Sequence, residues 1–519
     1  MKNQDMDERV DGMMEKGEMD NGQLRLLAQP EDEQRERNAT PTNTRGGSRV
    51  LNTLAVIASA LRPGILRRTP KHTQTPKLRR TAYLDGLRGF AAFLVYLLHH
   101  ELWAHSWEGS DILENAWGWD GKYFLAALPG IRVFFGSGGH LAVSTFFVIS
   151  GYVLTAKPLS LIQSGDHLKL SENVASALFR RWLRLFIPIW IVTLMIISVP
   201  HVFGIKCGFN NVDSFGEELW NWYAAMKNFT YIFNNTLLVD YHPHTWSIPI
   251  EMKGSIVVYT TAMAFSRCTR NARLWCECGL IFYFMYIVDG AHMAMFVAGM
   301  LLSDLDLLAL NDDLPAWMYR LKPHKTKLAY AVFIIGLYLG GVPANSSDIM
   351  HLRASKGWYY LSFFKPQAVF DFKWFFLFWG AVSMVISAQH VPFLKRFFES
   401  RFCLYLGRIS FMFYLFHGPV LWILGDRIYG AVGYVTEKRM LEIPTWVNLF
   451  PVTNWGVYAL EVRYLLPHLI LLPVTFWVAE LGTTFIDTPC NDFAQWVYRK
   501  TLPASSDRDR QNERSKNSP

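Results

Sequence analysis

An aspartate, an arginine and a histidine sit inside the first long apolar stretch of the chain, as Asp85, Arg88 and His99 between Tyr83 and His100. An ionisable group at the centre of a membrane-spanning helix costs roughly 2.5–3.5 kcal/mol on insertion scales, and such groups usually face a polar cavity or pathway. Each helical residue turns the chain by about 100°. Eleven steps from Arg88 therefore bring His99 to within about 20° of the same azimuth, roughly 16 Å further along the axis, and Asp85 lies within about 60° of both. His100 points about 100° away. An imidazole on that face can take a proton from a hydroxyl, and a guanidinium can hold an anion.

Further polar residues recur at the edges of later apolar runs. Arg181 and Arg184, within Phe179–Pro188, are three apart and share one helix face. Two guanidiniums there could clamp phosphates through bidentate bonds, or could snorkel to lipid headgroups as juxtamembrane arginines commonly do. Glu251 follows Ser247 by one turn after His244-Thr245-Trp246 and is expected near the outer membrane boundary, where it could bind a polar acceptor, hold a histidine or be solvated. His417, about two turns into a late helix, could bond a neighbouring carbonyl or line the same cavity as His99. Ser150 and Gly151, small among bulky neighbours, suit close helix packing. The six cysteines match neither a CxxC pair nor a zinc site and read as buried small residues, so no metal centre is expected.

The elements that must position these groups are membrane helices. Half the residues are hydrophobic (51%) and only 18% are charged, the composition of a polytopic membrane protein rather than a soluble globule. The net charge of +8 comes from basic residues beside apolar runs, which reads as topology determination and not as nucleic-acid binding. A span needs about 20 mostly apolar residues. That length predicts an all-α integral membrane fold of about ten transmembrane helices: 83–103, 139–157, 184–205, 247–266, 274–289, 291–307, 328–343, 371–389, 409–425 and 464–486. The fifth and sixth form a tight hairpin at Asp289-Gly290, and 215–239 reads as an amphipathic or re-entrant segment.

Residues 1–80 read as a disordered basic cytosolic tail, with an interfacial apolar piece at 51–61; residues 81–490 are the membrane domain and 491–519 a C-terminal tail. The first fifty residues are hydrophilic and show no cleavable signal, so insertion is expected to begin at the first span. Alternate loops carry basic clusters, as at Arg267, Arg270 and Arg273 or Lys395, Arg396 and Arg401, whereas 104–138 and 206–246 are richer in acids. The positive-inside rule then puts both termini in the cytosol. Glycosylation patterns at Asn228, Asn234 and Asn345 all fall in the outer segments and point to a eukaryotic endomembrane or plasma membrane.

In this order the motifs resemble the membrane acyltransferase type 3 family. Its Arg, ten residues, His pattern matches Arg88 and His99; its Phe-Phe-x-x-Ser-Gly-(Phe/Tyr) stretch matches Phe146–Tyr152; its Arg-x-x-Arg matches Arg181 and Arg184. The Trp-Ser-Leu-x-x-Glu stretch resembles Trp246, Ser247 and Glu251 with one extra residue and an intruding Pro249, and Ser410–His417 matches the last motif. The resemblance covers about residues 80–490.

It implies helices around a central polar cavity and transfer of an acyl group, commonly acetyl, to hydroxyls of sugars, glycans or small molecules. His99 would be catalytic; Arg88, Arg181 and Arg184 would contact an acyl-CoA co-substrate, acetyl-CoA foremost; and Asp85, Glu251 and His417 would line the cavity. No permanently bound cofactor is expected. The partners are the donor, a hydroxylated acceptor and the bilayer, with the oligomeric state left open. No segment reads as the extracytoplasmic esterase-like domain that some bacterial members append, so one chain is expected to complete the transfer. A competing route has His99 carry the acyl group covalently. A different class, a proton-coupled transporter, would use the same intramembrane groups without consuming acyl-CoA.

Overall fold

In a computed structural model of the protein, residues 78–503 are described, apart from short stretches at 106–110, 116, 120–121, 124, 136–137, 206–211, 239 and 459. The expected tail and the apolar piece at 51–61 therefore fall outside the described residues, except for 78–80. In chain order the helices that build the packing are α1 (Ala82–His105), α2 (Gly138–Gln163), α3 (His167–Phe203), α4 (Phe215–Thr230), α5 (Ser247–Ala264), α6 (Arg270–Phe282), α7 (Ala291–Leu310), α8 (Lys325–Gly340), α9 (Phe372–His390), α10 (Pro392–Phe398), α11 (Arg401–Val420), α12 (His468–Gly482) and α13 (Thr488–Thr501). A two-residue hairpin, β1 (Gly118–Trp119) against β2 (Lys122–Tyr123), is the one sheet among the described residues.

Each expected span overlaps a helix, with different bounds. Among the described residues six are long and apolar enough to cross a membrane: 138–163, 167–203, 291–310, 372–390, 401–432 and 462–501. The other four, α1, α5, α6 with the turn Tyr283–Ile287, and α8, are helical but shorter or more polar. The break between the expected fifth and sixth spans is real: Gly290 donates to the Phe284 and Val288 carbonyls, and α7 starts at Ala291. The segment at 215–239 begins as α4, whose buried Glu218, Trp222, Met226 and Phe229 recur every three or four residues, while Trp220 and Tyr223 are exposed. At the other end, α13 continues past residue 490 to Thr501.

The chain divides into two compact units, Met1–Leu170 with Val257–Ser410 and Asn454–Tyr464, and Ser171–Ile256 with Phe411–Thr453 and Leu465–Pro519. In the first, α2 packs on α1, α7 and α9, and α8 packs on α9. Small residues permit this closeness. A Cβ on Gly151 would stand 2.0 Å from the Phe296 carbonyl oxygen, and one on Gly299 would stand 2.0 Å from that of Val148, so α2 and α7 cross backbone to backbone. Polar clusters tie the same helices. Arg273 on α6 makes a two-pronged pair with buried Asp304 on α7 (2.7 and 2.9 Å), and Gln163 at the end of α2 donates to the same carboxylate (2.7 Å). The segment up to Tyr464 is fastened to α1 through His105, whose Nε2 lies 3.2 Å from Glu461 and whose Nδ1 faces Glu101 at 3.1 Å.

The second unit is held by α3 and α4 through the Trp222 indole, which donates to Thr193 at 2.9 Å, and by edge contacts of Phe186 with Phe229. Its helix at 468–501 runs through a wide π-type turn at Thr483–Asp487.

Candidate active site

In the first unit the polar groups of α1 are fixed by the glycines around them. A Cβ on Gly89 would stand 2.2 Å from the Gly407 amide nitrogen, so only glycine lets α1 approach the start of α11 this closely. At that crossing Arg88 donates to the Gly407 carbonyl (3.1 Å) and to Asp85 (3.3 Å). Asp85 also accepts from Arg79 (3.0 Å), so it is shared between two guanidiniums. The Nε of Arg88 is buried without a hydrogen-bond partner.

About three turns further along the same face of α1, His99 is half-buried and its Nδ1 lies 2.9 Å from the Val95 carbonyl. A carbonyl accepts only, so Nδ1 carries the proton and Nε2 is the basic nitrogen of the neutral ring. His140, which opens α2, interacts electrostatically with His99, Lys373 and Arg132, and its buried Nδ1 has no hydrogen-bond partner.

In the second unit Arg181 forms a short ion pair with Glu251 and donates from Nε to Ser255 (3.0 Å). Ser255 lies one turn beyond Glu251 on α5 and donates back to the Glu251 carbonyl (2.6 Å). Glu251 was expected near the outer membrane boundary and Arg181 at the edge of an apolar run; the two meet, with Arg181 roughly 20 Å along α3, which starts at His167. Arg184, one turn on, donates from Nε to Asn491 of α13 (2.6 Å), and Asn491 donates to Asp487 (3.3 Å).

The Ser247 and His417 motifs converge within this unit. Ser247 Oγ and the Tyr414 hydroxyl are 2.8 Å apart, and Tyr414 also bonds the His244 carbonyl. His417 bonds the Tyr414 carbonyl through Nδ1 (2.6 Å) and stacks on His244, ring centres 4.9 Å apart; His244 stacks in turn on Trp422 at 5.1 Å. Glycine is needed at 418, because a Cβ there would lie 2.5 Å from His244 Nδ1.

A family profile described as an acyltransferase domain matches residues 81–462, most of the chain. The chain belongs to the acyltransferase type 3 family. Among curated proteins it is similar to O-acetyltransferase PaAT-1 of Phomopsis amygdali, 27% identical over 487 residues that cover 85% of this chain and 89% of that protein. It is also similar to acyltransferase clz18 of Cochliobolus lunatus (21% identical, 81% of this chain, 96% of that one) and acyltransferase R4 of a Phoma species (21%, 81% and 96%). No solved structure matches it. With six apolar helices, this acyltransferase is a multi-pass membrane protein.

The structure joins Asp85 to Arg88 and Arg181 to Glu251, and sets His417 on His244. It also adds residues the sequence reading passed over. Ser255 was legible at one turn from Glu251; Asn491 and His140 lie far along the chain from their neighbours, and no local pattern announces them.

Proposed function

We propose that this acyltransferase is an O-acyltransferase that moves an acyl group, acetyl foremost, from acyl-CoA to a hydroxyl of a sugar, glycan or small molecule. The observation that carries this reading is the bond between His99 Nδ1 and the Val95 carbonyl, which puts the proton on Nδ1 and makes Nε2 the basic nitrogen of the ring on α1. In the reaction the acceptor oxygen attacks the thioester carbonyl while its proton passes to Nε2. The carbon–sulfur bond then breaks, and the imidazolium returns the proton to the departing thiolate, giving ester and free CoA. The name of the Phomopsis relative supports acetyl as the group and oxygen as the acceptor atom.

Arg88, Arg181 and Arg184 hold the donor's phosphates, with Asp85, Glu251 and Asn491 keeping those guanidiniums in place. The proposed arrangement is about ten spans around a central polar cavity lined also by His417, in a eukaryotic endomembrane or plasma membrane with both termini cytosolic. Loop charge and the sequons support that orientation.

The test is to incubate membranes bearing the protein with acetyl-CoA labelled in the acetyl group and a panel of hydroxylated acceptors. The reading expects acceptor-dependent release of CoA matched by labelled, hydroxylamine-sensitive ester. Release of CoA with no labelled ester for any acceptor would overturn it.

A further inference from the structure

We propose that a bilayer lipid lodges one hydrocarbon tail in an apolar slot of the first unit, bounded by α1, α2, α8, α9 and α10. The cavity measures about 280 Å³. Its lining includes Leu87, Ala91 and Leu94 of α1 and Ala142 of α2, with Phe398 of α10 and Val133.

Its chemistry selects the occupant. Thr145 is the single polar residue of the lining, and its hydroxyl is already spent on the Leu141 carbonyl at 2.7 Å. A buried water needs two to four polar partners, and none is offered. A donor thioester or an acceptor hydroxyl would likewise meet nothing to orient it. A hydrocarbon chain needs only contact area. Leu87, Ala91 and Leu94 are centred about 95° around α1 from Arg88, so the slot lies on a different face from the one bearing Arg88 and His99.

The space exists because Ala91 and Ala142, both buried, are small where their neighbours are Leu and Phe. The rim is open: Phe134, Phe393 and Phe397 are 42%, 50% and 41% exposed on helices of a multi-pass membrane protein, where lipid tails are the abundant apolar chains. Leu87 to Leu94 spans roughly 10 Å of α1, so the slot takes a length of chain rather than a single group.

The experiment uses the full chain in phosphatidylcholine vesicles containing a lipid with a photoactivatable diazirine in one acyl chain, and maps adducts by mass spectrometry after photolysis. Adducts are expected on Leu87, Ala91 or Leu94, which are buried and line the slot, as well as on exposed Ile334 and Ile335. Ala142→Leu and Ala91→Leu each fill the space and are expected to abolish the α1 adducts while leaving those at Ile334 and Ile335. Labelling confined to Ile334 and Ile335 in the wild type would overturn the proposal, as would α1 adducts that persist in both filled variants. The wild-type pattern decides by itself if a variant fails to fold, and no readout depends on acyl transfer.

Discussion

At the scale of single residues, the same chemistry recurs: each ionisable group proposed for the site is held by a neighbour that fixes its geometry. Val95 sets the tautomer of His99, Gly407 and Asp85 direct Arg88, and Ser255 and Glu251 direct Arg181. The types and order of these residues were readable from the sequence, because an arginine or histidine inside an apolar run is conspicuous. The partners were not, because hydrogen bonds such as Arg184 to Asn491 join positions 307 residues apart.

A prediction follows for Glu251. If its carboxylate positions Arg181 for the donor, Glu251→Ala should raise KM for acetyl-CoA about tenfold, equivalent to some 1.4 kcal/mol, with little change in acceptor KM. Arg181→Lys should do the same, since an ammonium cannot reproduce the fork that bonds Glu251 and Ser255 together. Initial rates with each substrate varied in turn measure this; a change confined to acceptor KM would assign Glu251 to the other substrate.

At the scale of elements, helix crossings are set by glycines. The sequence reading took Ser150-Gly151 as a packing pair, and the crossing of α2 on α7 at Gly151 and Gly299 has that character. The crossing at Gly89 and Gly407 was not legible, since nothing in either sequence stretch names its counterpart. Lengths were harder still: periodicity gave the helices, but not that α3 begins at His167 and so carries Arg181 far into its course.

Adding bulk at a crossing should be costly, because overpacking typically costs 1–3 kcal/mol and here backbone must move. Gly151→Leu and Gly299→Leu should lower the thermal midpoint of the purified protein by several degrees or prevent its accumulation. Gly279→Ala is the control: a Cβ there meets nothing within 4 Å, and helix propensity favours alanine by about 1 kcal/mol. A midpoint unchanged by both leucine variants would mean that the crossing is loose.

For the whole molecule, composition and the lengths of the apolar runs predicted an all-α membrane fold, and the loops' charge asymmetry predicts an orientation. The proposed topology places Asn228, Asn234 and Asn345 on the side where glycosylation occurs. Expressed in eukaryotic cells, the wild type should therefore lose apparent mass on treatment with a glycosidase that removes N-linked glycans, and Asn228→Gln with Asn234→Gln and Asn345→Gln should abolish that shift. Mass loss retained by the triple variant would place glycans elsewhere and reopen the orientation.

The most direct test of the central claim is single-turnover acyl transfer from labelled acetyl-CoA by the wild type and by His99→Ala, in the same membranes and at matched protein levels. The account predicts a fall of about 10²–10⁴ in the rate of ester formation, with acetyl-CoA still bound, because the base is lost and the donor contacts remain. Equal rates for the two proteins would contradict it.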